Sequence, residues 1–442
     1  MSKLPYSSEQ ILTESLENLT PPRRASLLCR GSDRVGLTAA PVRVILDDVA
    51  IRGDLALKEL ALRLDGVSLE SLEVPRARWV EALDAIDPDL VAAMKRAIRN
   101  IEVVQHALLP VAATVSPEPG IVITRQPIAL ERVGVYAPGG RAAYPSSVLM
   151  GVVPARVAGV REIVVCSPPG PDGCPSGVVL AAAELAGVDR LFAIGGAGAV
   201  GAMAYGTETV PRVDRIVGPG NAYVAAAKLQ VASSVGIDSP AGPSELLVIA
   251  DATANADVIA RELLAQAEHD PEAVVIVVAI GEEVARAIML RVMAALPTQQ
   301  RRDTIEKALT SRGAFLWTSD VGTAIDFSND FAPEHLLLAI KNAAQLLPRL
   351  RTAGTIFVGQ SSSVAFGDYM TGANHVLPTG GLARSYSGLS VLDFMRFTTY
   401  QQVDPDAAAS LAGDVGTFAD AEGLFAHAAT ARQWGTSEWS RS

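Results

Sequence analysis

The chain contains five histidines, and four of them, His269, His335, His375 and His427, have Glu, Asp, Asn or Gln nearby at the ends of expected elements. His106 is the fifth and falls inside a helical pattern. An imidazole exchanges protons near neutral pH and binds metal ions, so this pattern points to a polar reaction site near strand ends rather than to scattered surface residues. At Glu334-His335 an acidic residue and a histidine stand together at the mouth of the apolar run Leu336-Leu337-Leu338. Gln266 and His269 are three residues apart on a predicted helix, so they share a face at the spacing two ligands of one ion need. The pair alone is more readily read as a helix C-terminus with a solvated Gln and a histidine favoured by the dipole.

The stretch from Ile237 to Asp270 organises the elements around these residues. It reads as a turn through Ala241-Gly242-Pro243-Ser244, a buried strand Glu245 to Ala250, and a helix Ala256 to Glu268. Upstream, residues from about 41 to 109 are predicted helical. The period changes at Gly120, with strands at 121–123 and 133–136 followed by a Pro-Gly-Gly turn. Further strand-helix units follow, and the series continues through strands at 274–280, 315–317, 336–338 and 355–358. Two similar parallel α/β halves are expected, roughly 135–243 and 244–386, with helical pieces at both ends. The segment Gly195 to Gly201 holds a literal G-x-G-x-x-G after a strand. Its context is poor for a dinucleotide fingerprint, because Asp214 precedes the next apolar run instead of ending it; close helix packing in an Ala/Gly-rich segment is the competing reading.

Composition narrows the function class. With 442 residues, 49% hydrophobic and 19% charged, the chain is a globular protein of two or three domains. A net charge of −11 without any Lys/Arg run argues against nucleic acid and favours a small soluble substrate. Cys29, Cys166 and Cys174 form no C-x-x-C pair, which predicts a reducing, cytoplasmic setting without disulfides or a thiolate zinc site. No export signal or membrane span is expected.

Ala241-Gly242-Pro243-Ser244-Glu245, Gln266 with His269, Pro333-Glu334-His335, Gly367-Asp368-Tyr369, Asn374-His375-Val376-Leu377-Pro378, and Glu422 with Ala426-His427 together resemble the histidinol dehydrogenase family, in order, from about Glu131 to His427. The resemblance implies oxidation of L-histidinol through the aldehyde to L-histidine with two NAD+, by a zinc-dependent, intertwined homodimer. It implies an α/β fold of two incomplete Rossmann-like parallel-sheet domains with small helical terminal segments. Residues 1–29 would form an N-terminal helical segment, and 30–134 with 244–386 a first Rossmann-like domain carrying most site residues. Residues 135–243 would form the second, NAD-binding domain, and 387–442 a C-terminal helical domain reaching the partner subunit.

By the same resemblance the zinc ligands are Gln266, His269, Asp368 and His427, an N/O set that suits zinc better than magnesium or calcium. His335 would take the hydroxyl proton and Glu334 would activate the water that attacks the aldehyde. Ser244, His375 and Glu422 would line the substrate pocket; without the family pattern, Ser244 reads as a turn hydroxyl and Glu422 as a solvated helix face. Tyr136 and Asn221 occupy positions that contact NAD. Gly198 departs from the family, standing where a Gln usually follows Gly-Gly-Ala, so a side-chain hydrogen bond to the cofactor is expected to be missing. Two other readings stay open on the residues alone: a related zinc dehydrogenase of another small polar alcohol, and a non-catalytic metal or ligand binder, which would have no need of Glu334 and His335.

Overall fold

The computed structural model describes residues 11–30, 32–139, 143–240 and 242–436. Ala241 of the Ala-Gly-Pro-Ser-Glu motif, part of the turn after Tyr136 (140–142), and the two chain ends lie outside the described residues. The chain divides into two compact units, the first made of 1–107 with 130–394 and the second of 108–129 with 395–442.

In the first unit a six-stranded parallel sheet is built from β1 (Leu12–Ser15), β9 (Glu245–Ala250), β10 (Val274–Ile280), β11 (Gly313–Thr318), β12 (His335–Ala339) and β13 (Thr355–Val358), in the order β1-β11-β10-β9-β12-β13. The central strands are buried on both faces, which is why they read as continuous apolar runs rather than alternating ones. In β9, Leu246, Val248 and Ala250 join one core, while Leu247 and Ile249 join the core on the other face. α10 (Ala256–Ala267), α11 (Glu282–Ala295), α12 (Arg302–Arg312) and α13 (Val321–Phe331) return the chain between strands. Asn255 caps α10 by accepting from the amides of Asp257 and Val258, and Asp320 caps α13 through Thr323 N, each satisfying a free amide of the first turn.

The five-stranded parallel sheet of the same unit runs β6-β5-β4-β7-β8, from β4 (Arg132–Tyr136), β5 (Glu162–Ser167), β6 (Arg190–Ala193), β7 (Arg215–Val217) and β8 (Gly236–Ile237). α6 (Pro145–Ala158), α7 (Gly177–Ala186), α8 (Gly196–Tyr205) and α9 (Ala222–Val231) accompany it. The expected boundary at 134/135 falls inside β4. The N-terminal helices α2 (Ser32–Arg52), α3 (Asp54–Leu60), α4 (Arg76–Ala85) and α5 (Pro88–Ala107) pack on α6 to α9 of this half, not on the sheet of 244–386 with which they were grouped. Long-range packing decides that membership, and helical period carries no information about the partner.

Two other segments depart from the helical ends that were expected. Besides α1 (Pro21–Leu28), the N-terminal segment supplies β1, whose four residues pair in parallel with β11 at the sheet edge. In the second unit, β14 (Met395–Val403) pairs antiparallel with β3 (Ile121–Ala129), which pairs with β2 (Ala113–Val115). α15 (Pro405–Ala421) and α16 (Phe425–Arg432) complete that unit. Among the described residues, no helix is long and apolar enough to cross a membrane.

Candidate active site

The site residues of the first unit collect at the amino edge of the six-stranded sheet. β9 begins at Glu245 and β12, its parallel neighbour, begins at His335, so Ser244 and Glu334 stand just ahead of adjacent strands. α10 carries the chain back from the carboxyl end of β9 to the amino end of β10, where Val274 pairs with Glu245; its last turn is therefore delivered to the same edge. Ligand sites of open α/β sheets usually lie at the carboxyl edge. Here the edge is lined by helix C-termini, whose carbonyl dipoles favour positive charge.

α13 ends at Ala332, which takes the left-handed conformation at φ 50°, and Pro333 blocks any further turn. A non-glycine residue there costs about 1–3 kcal/mol, and it turns the chain sharply so that Glu334 enters the site. Glu334 and His335 are both buried. Glu334 Oε2 accepts from Glu245 N at 2.7 Å and lies 3.4 Å from His335 Nδ1. His335 Nδ1 also lies 3.0 Å from the main-chain oxygen of Glu245. A carbonyl oxygen only accepts, so Nδ1 carries a proton, and Nε2 is the nitrogen that turns basic when the ring is neutral. That Nε2 is buried with no hydrogen-bond partner among the described residues; Asp368 Oδ1 lies 3.7 Å away. Burial disfavours the charged ring, but the negative charge and hydrogen bond of Glu334, with Asp368 adding to them, outweigh it and hold the His335 pKa up at about 9.

α14 (Val364–Tyr369) packs on α10, and Glu262 of α10 accepts from Val364 N at 3.1 Å. Gln266 lies one turn beyond Glu262, and Asp368 one turn beyond Val364. Gln266 is buried, His269 half-buried and the Asp368 side chain 15% exposed. His375 reaches the cluster from the following loop, its Nδ1 2.9 Å from the main-chain oxygen of Asp368; burial pushes its imidazole below the usual range. That loop is tied to the other half by Asn374 Nδ2 donating to Met150 O of α6 at 2.8 Å and Asn100 Nδ2 of α5 donating to Met370 O. Ser244 is half-buried. A carboxylate, an imidazole and a neutral amide oxygen at two helix C-termini fit a borderline cation such as zinc. Among the described residues no three His, Cys, Asp or Glu side chains group closely enough to hold a metal.

The second set of predicted contacts lies at the carboxyl edge of the five-stranded sheet, where β4 sends the chain one way to β5 and the other neighbour is β7. Such a switch point opens a crevice. Tyr136 is buried at the end of β4, its hydroxyl accepting from Gly196 N at 3.0 Å. Gly218 follows β7 with φ +116°, and a Cβ there would strike the main-chain oxygen of Tyr136. Asn221 is exposed and spends its Oδ1 capping α9 through Tyr223 N and Val224 N, which leaves its amide NH2 for a ligand. Gly198 faces neither edge: a Cβ there would come 3.1 Å from Leu60 Cδ1 and 3.3 Å from Leu57 Cδ2. Gly201 meets Leu46 and Val49 in the same way. Gly198 and Gly201 of the G-x-G-x-x-G string thus let α2 and α3 lie close on α8, and leucine side chains fill the space beside Gly198.

The family model described as histidinol dehydrogenase matches residues 30–433. The chain belongs to the histidinol dehydrogenase family. It is 44% identical over 419 residues to the histidinol dehydrogenase of Methanosarcina barkeri, covering 95% of this chain and 96% of that one. Against the Halobacterium salinarum histidinol dehydrogenase it is 46% identical over 418 residues, with 94% and 97% covered. The crystal structure of the Elizabethkingia anophelis histidinol dehydrogenase superposes with a TM-score of 0.90 at 34% identity, covering 96% of this chain and 98% of the other.

Of the residues assigned by likeness to histidinol dehydrogenases, the first unit brings Ser244, Glu334, His335, Asp368 and His375 to one sheet edge, with Gln266 and His269 on the helix end that returns there. Glu422 ends α15 and His427 lies in α16, both exposed and both in the second unit. Sequence reasoning missed Glu245 and Arg30, which form a buried pair behind Glu334. A charged residue heading a strand apolar on both faces was a usable signal for Glu245; no local feature marked Arg30.

Proposed function

We propose that this chain oxidises L-histidinol through L-histidinal to L-histidine with two NAD+, the last step of histidine biosynthesis, as an NAD-dependent four-electron dehydrogenase. The observation that carries the reading is the buried, unpartnered His335 Nε2 with Glu334 behind it, in a chain of the histidinol dehydrogenase family. Gln266, His269 and Asp368, with His427 from a second copy of the chain, would hold a zinc ion, which would supply positive charge to attract the substrate's polar end.

His335 Nε2 takes the hydroxyl proton as hydride leaves the carbinol carbon for the first nicotinamide. Glu334, 3.4 Å from Nδ1, and Asp368, 3.7 Å from Nε2, stabilise the imidazolium so formed. After that proton passes to solvent, Glu334 removes a proton from the water adding to the aldehyde carbon. His335 then accepts a second hydroxyl proton while hydride leaves the hydrate for the second NAD+, and the product is a carboxylate. Ser244, His375 and Glu422 line the substrate pocket, and Tyr136 and Asn221 contact the dinucleotide at the carboxyl edge of the second sheet. The enzyme works as an intertwined homodimer in the cytoplasm, a setting consistent with three free cysteines. The test is NADH formation from histidinol and NAD+: two NADH per histidinol with no aldehyde released is expected. No NADH, or one per substrate, overturns the assignment.

A further inference from the structure

We infer that Arg30 is a positioning residue for this reaction: its guanidinium holds Glu245, and through Glu245 both Glu334 and His335, in their reactive arrangement. The inference rests on the roles given above to Glu334 and His335.

Arg30 lies directly before the first long helix of the chain, 215 residues from Glu245 in sequence, yet the two side chains are each only 2% exposed and paired. Arg30 Nε donates to Glu245 Oε1 at 2.8 Å and Nη2 donates to Oε2 at 3.2 Å, the two-pronged geometry that a planar guanidinium imposes on a carboxylate. Nη2 also donates to the Phe331 carbonyl at 2.6 Å, and the guanidinium carbon sits 3.3 Å from the centroid of the Phe331 ring. One side chain therefore clamps the last turn of α13 to the head of β9. Glu334 lies on the short link that leaves this clamp.

Glu245 carries the constraint onward through its main chain. Its N–H donates to Glu334 Oε2 and its carbonyl accepts from His335 Nδ1, so a shift of this residue moves the water-activating carboxylate and changes the bond that fixes the imidazole tautomer. Its carboxylate accepts from Gly380 N at 2.9 Å and faces Glu334 N at 3.4 Å. Two buried carboxylates this close repel one another, and Arg30 is the cation paired with Glu245. Burial pushes the Glu245 carboxyl up and Arg30 opposes that push. Removing Arg30 leaves Glu245 either charged against Glu334 or protonated and free to rotate, and both outcomes disturb the pair that handles the protons. Arg30 makes none of these contacts to a residue assigned to NAD or zinc, so its loss should act on turnover and not on binding.

The test uses full-length enzyme carrying Arg30→Met, Arg30→Lys, or Arg30→Met with Glu245→Gln. Arg30→Met should lower kcat roughly 10- to 100-fold, the range for disturbed positioning, with KM for histidinol and NAD+ near wild type and zinc content unchanged. Arg30→Lys should restore part of kcat, and the double variant should exceed Arg30→Met alone because the repulsion with Glu334 is gone. A downfield Nδ1–H proton resonance, assigned by its loss in His335→Asn, should broaden or shift in Arg30→Met without any substrate present. Wild-type kcat in Arg30→Met, or a rise in KM with the resonance unmoved, overturns the inference. If Arg30→Met does not fold, Arg30→Lys decides in the same terms. Should wild type fail to oxidise histidinol, the proposed function falls, and the resonance still tests Arg30.

Discussion

The main-chain oxygen of Glu245 lies 3.0 Å from His335 Nδ1, and this bond leaves Nε2 as the ring nitrogen without a partner among the described residues. In the proposed reaction Nε2 is the base and Glu334 activates water, so the two half-reactions would depend on different residues. His335→Asn should slow oxidation of histidinol about 10²- to 10⁴-fold. Glu334→Gln keeps the acceptor for Glu245 N but cannot take up a proton. Stopped-flow NADH traces should show the aldehyde-to-acid step slowed far more than the alcohol step, and equal slowing of both would remove the role given to Glu334.

His335 also predicts a pH dependence of stability in protein stripped of metal by a chelator. Its folded pKa, about 9, is above its ordinary 6.5, so the folded state binds the proton more tightly. The stabilisation is fully present below 6.5 and is lost as pH rises through about 9. Denaturant midpoints should fall over that window in wild type and less steeply in His335→Asn. Adding zinc should flatten the wild-type curve, because a cation on Asp368 cancels one of the charges that favour the imidazolium. A wild-type slope no steeper than that of His335→Asn would remove His335 as the titrating group.

His269→Asn should lower zinc content and activity together while leaving the fold intact, since the half-buried ring stands outside the hydrophobic core that packs around α10. Elemental analysis decides: full zinc occupancy in the variant removes His269 from the ligand set.

The place of His427 is tested by subunit mixing. Inactive His427→Ala and inactive His335→Ala chains, exchanged in one solution, should regain activity if the second unit of one copy completes the site of another, because one intact site forms per mixed dimer. No recovery after verified exchange would assign His427 to its own chain's site.

Gly198→Gln should not repair NAD binding. The position lies under Leu57 and Leu60, so a glutamine must push α3 away or fold into a packed helix contact. Overpacking of this kind costs about 1–3 kcal/mol. The variant should melt earlier with no gain in NAD+ affinity, by calorimetry and equilibrium titration; a more stable variant with tighter NAD+ binding would overturn this reading of the departure.

The chemical pairings were legible in the sequence because they are local. Gln266 and His269 share a helix face through their spacing, Glu334 and His335 are neighbours, and the strands that carry them are apolar runs too buried to alternate. The motifs around these residues carried the resemblance to histidinol dehydrogenases. Only tertiary structure decided the rest, because it depends on which distant segments pair. The neighbouring register of β9 and β12 puts Glu245 under His335 and so selects the ring tautomer, and it places the site at the amino edge, among helix C-termini. The edge strand β1 and the antiparallel β14 owe their conformation to partners hundreds of residues away. The same holds for Arg30, whose meaning comes from a carboxylate 215 positions later, and for Gly198, whose missing side chain is explained by the leucines that occupy its space.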